Sequence, residues 1–71
     1  MQISIFKTNL TNKSRITDIE SSLDIHPDII KWNVDLNDAD NILRIVSNKI
    51  VGKEIEEILL SAGYYCEEIP D

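Results

Sequence analysis

The apolar residues of this 71-residue chain recur with a period of two, then near 3.6, then two and two again, then 3.6 and finally two. Few folds satisfy that order. Residues 2–10, QISIFKTNL, place Phe6, Thr8 and Leu10 on one face and Ile3, Ile5 and Lys7 on the other, which predicts a strand. The polar stretch TNKS follows, and Ile16, Ile19 and Leu23 then fall on one stripe of a short helix over about residues 14–23. Thr17 and Glu20 have the spacing of a capping box, but Ile16 already belongs to the stripe, so Thr17 lies inside the helix and the match is a coincidence. His26-Pro27-Asp28 ends the segment, because a residue before proline avoids helical backbone angles.

Ile30, Trp32, Val34 and Leu36 alternate with Lys31, Asn33 and Asp35 as a second strand. The turn formers Asn37 to Asn41 suit a hairpin loop, and residues 42–46 return as a third strand with Leu43 and Ile45 inward. Ser47 to Lys49 is a polar break suited to capping the next element. Val51, Ile55, Ile58, Leu59 and Ala62 form one stripe of an amphipathic helix, opposite Lys53, Glu54, Glu56 and Glu57, and Gly63 supplies its left-handed stop. Tyr64 to Ile69 resumes strand character and Pro70 ends it. Two right-handed crossovers sharing a central hairpin make this βαββαβ order an α+β ferredoxin-like sandwich: a four-stranded antiparallel sheet with two helices on one face.

A single domain over residues 1–71 is expected, since the length leaves no room for a second core. Thirteen isoleucines supply the branched aliphatic volume that so small a core needs. Thirteen acidic against seven basic residues give a net charge of −6, which repels phosphate backbones and anionic lipid and argues against nucleic-acid and membrane partners. One cysteine cannot form an internal disulfide, and MQISIF lacks the features of a signal peptide, so a cytoplasmic location is expected.

Three stretches, FKTNLTNKSR, WNVDL and SAGYYCEEI, resemble the heavy-metal-associated domain of small copper chaperones and metal-pumping ATPases, over nearly the whole chain. In that family the first loop reads Met-x-Cys-x-x-Cys, and two thiolates hold a soft cation such as Cu(I). Placing Leu10 on the family's methionine puts Asn12 and Arg15 where the cysteines belong. The resemblance therefore implies a degenerate member with no metal ligands in the loop and no cofactor, with Tyr64 where bacterial copper chaperones often carry a tyrosine near the metal.

The remaining candidates read mostly as structure. Strand directions put the first loop, the Asn37–Asn41 turn and the Gly63-Tyr64 turn at one end of the domain and His26 at the other, so His26 reads as a solvated or capping residue. Cys66 falls where family members carry a small residue facing the helices, and reads as a small core hydrophobe. Counted from Asp35, the acidic hairpin has Asp40 and Val46 where a calcium loop needs Gly and Glu, so its carboxylates serve the turn. Trp32 reads as core with Val34 and Leu36, and Glu54, Glu56 and Glu57 as a solvated face. Thr11, Lys13, Ser14 and Arg15, with Tyr64 beside them, gather donors and two cations at a helix N-terminus, suited to a small anion or a partner's carboxylate. The competing expectation is that Lys13 and Arg15 merely pair with Asp38 and Asp40.

No nucleophile is paired with a base, so the chain is not read as an enzyme. The function expected is a non-catalytic binding or docking module without tight metal transfer. The alternatives are residual copper binding through Cys66 or a second chain, and a ferredoxin-like effector-binding dimer whose Ile3 and Ile5 pair sheets across a two-fold.

Overall fold

The computed structural model describes residues 1–70 and contains six elements: β1 (Gln2–Thr8), α1 (Lys13–Asp24), β2 (Ile29–Val34), β3 (Leu43–Ser47), α2 (Gly52–Ser61) and β4 (Cys66–Ile69). The sheet runs β2-β3-β1-β4 with every neighbour antiparallel, the ferredoxin-like order expected from the sequence. Alternation along β1 decides which face is core. Ser4, Phe6 and Thr8 are buried under the helices, while Ile3 is 43% exposed on the open face. Phe6, Leu10, Ile19, Leu23, Leu43, Ile45, Ile55 and Leu59 are fully buried and form one cluster between sheet and helices.

Each helix is defined by what satisfies its ends. The first orphan donors of α1 meet Asn12, whose side chain accepts the Arg15 N–H at 3.0 Å. Thr17 lies inside the helix, as expected, and its hydroxyl bonds back to the Lys13 carbonyl at 2.9 Å. Gly63, at φ +89°, ends α2 in the left-handed region. Asn41 is the one other described residue at positive φ, 44°, in the β2–β3 loop, where Asp35 and Asp38 each accept a backbone N–H two residues on.

Three expectations are corrected. A β-bulge between Ile29 and Lys31 takes Ile30 out of the alternation, so Ile29, Trp32 and Val34 pack on the core, while Ile30 (52% exposed) and Leu36, beyond the strand, do not. Ser47 is the last residue of β3, fully buried, with its hydroxyl donating to the Lys49 carbonyl, and α2 starts after Val51 with no side-chain cap. Ala62 lies outside the buried stripe of α2: it is exposed just past the last turn.

Candidate functional site

The first loop is built around Thr8, the last residue of β1. Its N–H donates to the Asp40 carbonyl at 3.1 Å and its hydroxyl to the Asn41 carbonyl at 2.6 Å, so the loop is fastened to the β2–β3 turn. The same hydroxyl oxygen accepts the Leu10 N–H at 3.1 Å, which sets the chain to bury Leu10 completely. Asn9 completes the end: its side chain accepts the Tyr65 N–H at 2.9 Å, joining the loop to the turn before β4. The three segments that strand direction assigned to one end of the domain meet there.

Asn12 and Arg15 both make internal bonds. Asn12 caps α1, a role that an asparagine in the polar stretch just before the helical stripe could have signalled. Arg15 donates from Nη1 to the Asn9 carbonyl at 2.8 Å, and its guanidinium carbon lies 5.9 Å from the centroid of the Tyr64 ring. That distance is within cation–π reach, worth about 0.5–1 kcal/mol at an exposed site. The Tyr64 hydroxyl donates to the Asp18 carboxylate, and this bond, with smaller effects of desolvation and of the Asp18 charge, raises the phenol above its ordinary value against the opposing Arg15.

Lys13 and Arg15 do not pair with Asp38 and Asp40. The single ion pair among the described residues is His26 Nε2 to Glu54 Oε1 at 3.1 Å, and it carries charge on both sides only when His26 is protonated. Asp38 instead accepts the Asp40 N–H. The two cations therefore sit in the first turn of α1, which contains no acidic residue, where the positive end of the helix dipole disfavours them. Thr11, Lys13 and Ser14 are exposed and Tyr64 is half-buried.

His26 lies at the far end of the domain, as read. Its Nδ1 accepts the Asp28 N–H at 3.1 Å, leaving Nε2 to face Glu54, so it ties the α1–β2 loop to α2. Trp32 packs against the core with its indole N–H donating to Asp24 at 2.9 Å. Cys66 is buried in the core, 8% exposed, and burial, with lesser effects of the Glu56 and Glu68 charges, pushes its thiol up to about 12. Among the described residues no three His, Cys, Asp or Glu side chains converge as a metal-ligand set. The loop offers an amide and a guanidinium, which do not fit a soft cation.

Two consequences follow for Cys66. Thiol reagents should modify it slowly in the native state near neutral pH and rapidly after denaturation, since the reactive thiolate is scarce. Cys66 and Tyr64 both have folded values above their ordinary ones of 9.0 and 10.0. Their contributions to stability are complete below those values and are lost as the pH rises through the folded ones. Urea denaturation should therefore show stability falling from about pH 9 towards 12, with a shallower fall in Cys66→Ala and in Tyr64→Phe.

No protein-family model matches the chain, and no curated protein matches its sequence. Solved structures do match. The yeast copper transporter domain Ccc2a, determined in apo and Cu(I)-loaded states, superposes with a TM-score of 0.83 at 19% identity, covering 100% of this chain and 99% of that one. The N-terminal domain of PacS from Synechocystis PCC6803 gives a TM-score of 0.80 at 13% identity, covering 99% of this chain and 100% of that one. A structure of the Atx1–Cu(I)–Ccc2a complex matches at 0.81 and 20% identity, covering 100% of this chain and 99% of that one. Identities this low establish architecture alone: the chain has the ferredoxin-like fold of the heavy-metal-associated domains found in copper chaperones and transporters.

Proposed function

We propose that this chain is a non-catalytic docking module on the heavy-metal-associated fold, one that neither holds nor passes on a soft metal. The observation that supports this most is the internal use of Asn12 and Arg15, the two side chains that the resemblance puts at that family's cysteine positions. Asn12 caps its own helix, and Arg15 is held by Asn9 and lies beside Tyr64. A neutral amide and a permanent cation offer no thiolate, and the thiol of Cys66 is core, not loop. One of the matched structures is a complex in which Atx1 and Ccc2a occur together with Cu(I). For this chain we retain a protein contact and omit the metal.

The contact end comprises Thr11, Lys13, Ser14, Arg15 and Tyr64, and its complement is a carboxylate of a partner chain or a small anion. An anion there would relieve the crowding of two cations at a helix N-terminus. We place the module in the cytoplasm, without nucleic acid; no helix among the described residues is long and apolar enough to cross a membrane. Titration with sulfate and with acetate, followed by backbone amide shifts, tests the contact end. Saturable shifts confined to residues 11–16 and Tyr64, lost in Arg15→Ala, are expected. Shifts that track ionic strength and spread over the surface would remove this contact from the reading.

A further inference from the structure

The face of the sheet opposite the helices has a charge balance unlike the rest of the molecule. Register fixes its membership. One row across the strands is Lys31-Val46-Ile3, the next is Asn33-Arg44-Ile5-Ile69, and Lys7 stands opposite Glu67 beyond them. Asp35, bonded through its N–H to the Ile42 carbonyl, continues the same face at its β2 edge, so among the described residues three cations stand with two carboxylates here, in a chain of net charge −6. The helices on the other side carry six carboxylates, Asp18, Glu20, Asp24, Glu54, Glu56 and Glu57, against the three cations Lys13, Arg15 and Lys53. Neither Lys31 nor Arg44 has a carboxylate within ion-pair distance among the described residues.

The face is also apolar and concave. A hollow of about 500 Å³ is lined by the apolar Met1, Ile3, Trp32 and Val46 and by the polar Lys31, Asn33 and Arg44. Met1 is 84% exposed and Ile3 43%. That volume lies within the range of sites that take a compact ligand or an anchoring side chain. We propose that this open sheet face is the docking surface for a partner-protein segment whose apolar anchor is flanked by carboxylates. It rests on the docking reading and adds to it a second surface, on the sheet face and separate from the loop.

Charge selects the occupant. Pairing two copies sheet to sheet about a two-fold would set this face against itself, which offers no excess of carboxylate to meet the unpaired Lys31 and Arg44, and this disfavours the effector-type dimer. An anionic bilayer would meet three cations but be opposed by the net charge of −6, and a flat lipid surface leaves a hollow unfilled. A segment with an apolar side chain between acidic residues fills the hollow and meets both of its lining cations.

The test uses a synthetic amphipathic peptide with Leu on one face and Glu on its flanks, beside the same peptide with Lys in place of Glu. With the full chain, the Glu peptide should produce saturable shifts in the amides of Ile3, Ile5, Lys31, Arg44 and Val46 and a change in Trp32 fluorescence. The Lys peptide should bind at least about tenfold more weakly, as should the Glu peptide with the double variant Lys31→Glu, Arg44→Glu, since each reversal turns an attraction into a repulsion. Both substitutions are at exposed positions, so the variant should keep its amide dispersion. The proposal is overturned if neither peptide binds, if the two bind equally, if the same amides shift on self-association, or if they respond to phosphatidylserine vesicles and not to the Glu peptide. Cu(I) titration of the same sample separates the two readings: a tight copper complex removes the docking module itself, whereas a missing peptide response without copper binding removes only this surface.

Discussion

Replacing Asn12 and Arg15 together by cysteine is expected to give this chain a loop that takes a single Cu(I) ion from a competing chelator. The two positions already adjoin across the first turn of α1, where the Asn12 side chain lies 3.0 Å from the Arg15 amide nitrogen. A helix N-terminus lowers the pKa of thiols placed there and so supplies thiolate near neutral pH. The substitution also removes a helix cap, which costs about 0.5–2 kcal/mol, and releases the contacts of Arg15 with Asn9 and Tyr64. The metal-free variant should therefore be the less stable form, and Cu(I) should restore the loss because binding energy at such a site is also folding energy. Chelator competition and urea denaturation read the two effects separately. A variant that folds but wins no copper would show that positions 12 and 15 are not the counterparts of the family's cysteines.

The second large effect lies in the core. Phe6 is fully buried in the middle of β1, one of the two central strands, where it faces the helices. Phe6→Ala should destabilise the domain by about 3–5 kcal/mol, through lost burial and the cavity left behind. At about 0.05–0.15 kcal/mol per residue, a chain of this length has about 4–11 kcal/mol, so the loss is a large share of the total. A urea midpoint lowered by half or thereabouts at 25 °C is the expected result. Ile3→Ala, on the open face of the same strand and 43% exposed in the wild type, should cost under about 1 kcal/mol. Similar losses at the two positions would mean that the open face is covered and the sheet is not one-sided.

The sequence made the fold legible because its elements are amphipathic with clean periods. Phe6, Thr8 and Leu10 were expected on one face and all three are buried, as are Leu43 and Ile45. Errors arose where local geometry breaks the period. A bulge adds a residue to β2 without any mark in the composition, so Ile30 changed its environment while Trp32 kept its own. Ser47 has a residue type common in breaks, yet its hydroxyl finds a carbonyl two residues on, which lets it end a buried strand.

The site was legible in position but not in wiring. Strand direction alone brought the loop, the acidic turn and Tyr64 to one end, and separated His26 from them. What spacing could not reveal was the partner of each side chain. A shared end of the domain makes a surface pair of Lys13 and Arg15 with Asp38 and Asp40 the expectation, but such pairs contribute little, and Arg15 is instead held by a neutral carbonyl and an aromatic ring. The hydroxyl of Tyr64 turns to Asp18 on α1, a contact that depends on how the helix is rotated over the sheet. The bond of His26 to Glu54 is of the same kind, set by packing across 28 residues of sequence.

The central claim is that the loop from Thr11 to Arg15 is wired to itself and to Tyr64, and holds no soft metal. Titration of the reduced wild-type protein with Cu(I) in the presence of a competing chelator tests it most directly. The expected result is that the chelator keeps the copper at every protein concentration, with the amides of Asn12, Arg15 and Tyr64 unmoved. A stoichiometric complex that draws Cu(I) from the chelator and shifts those amides would contradict it.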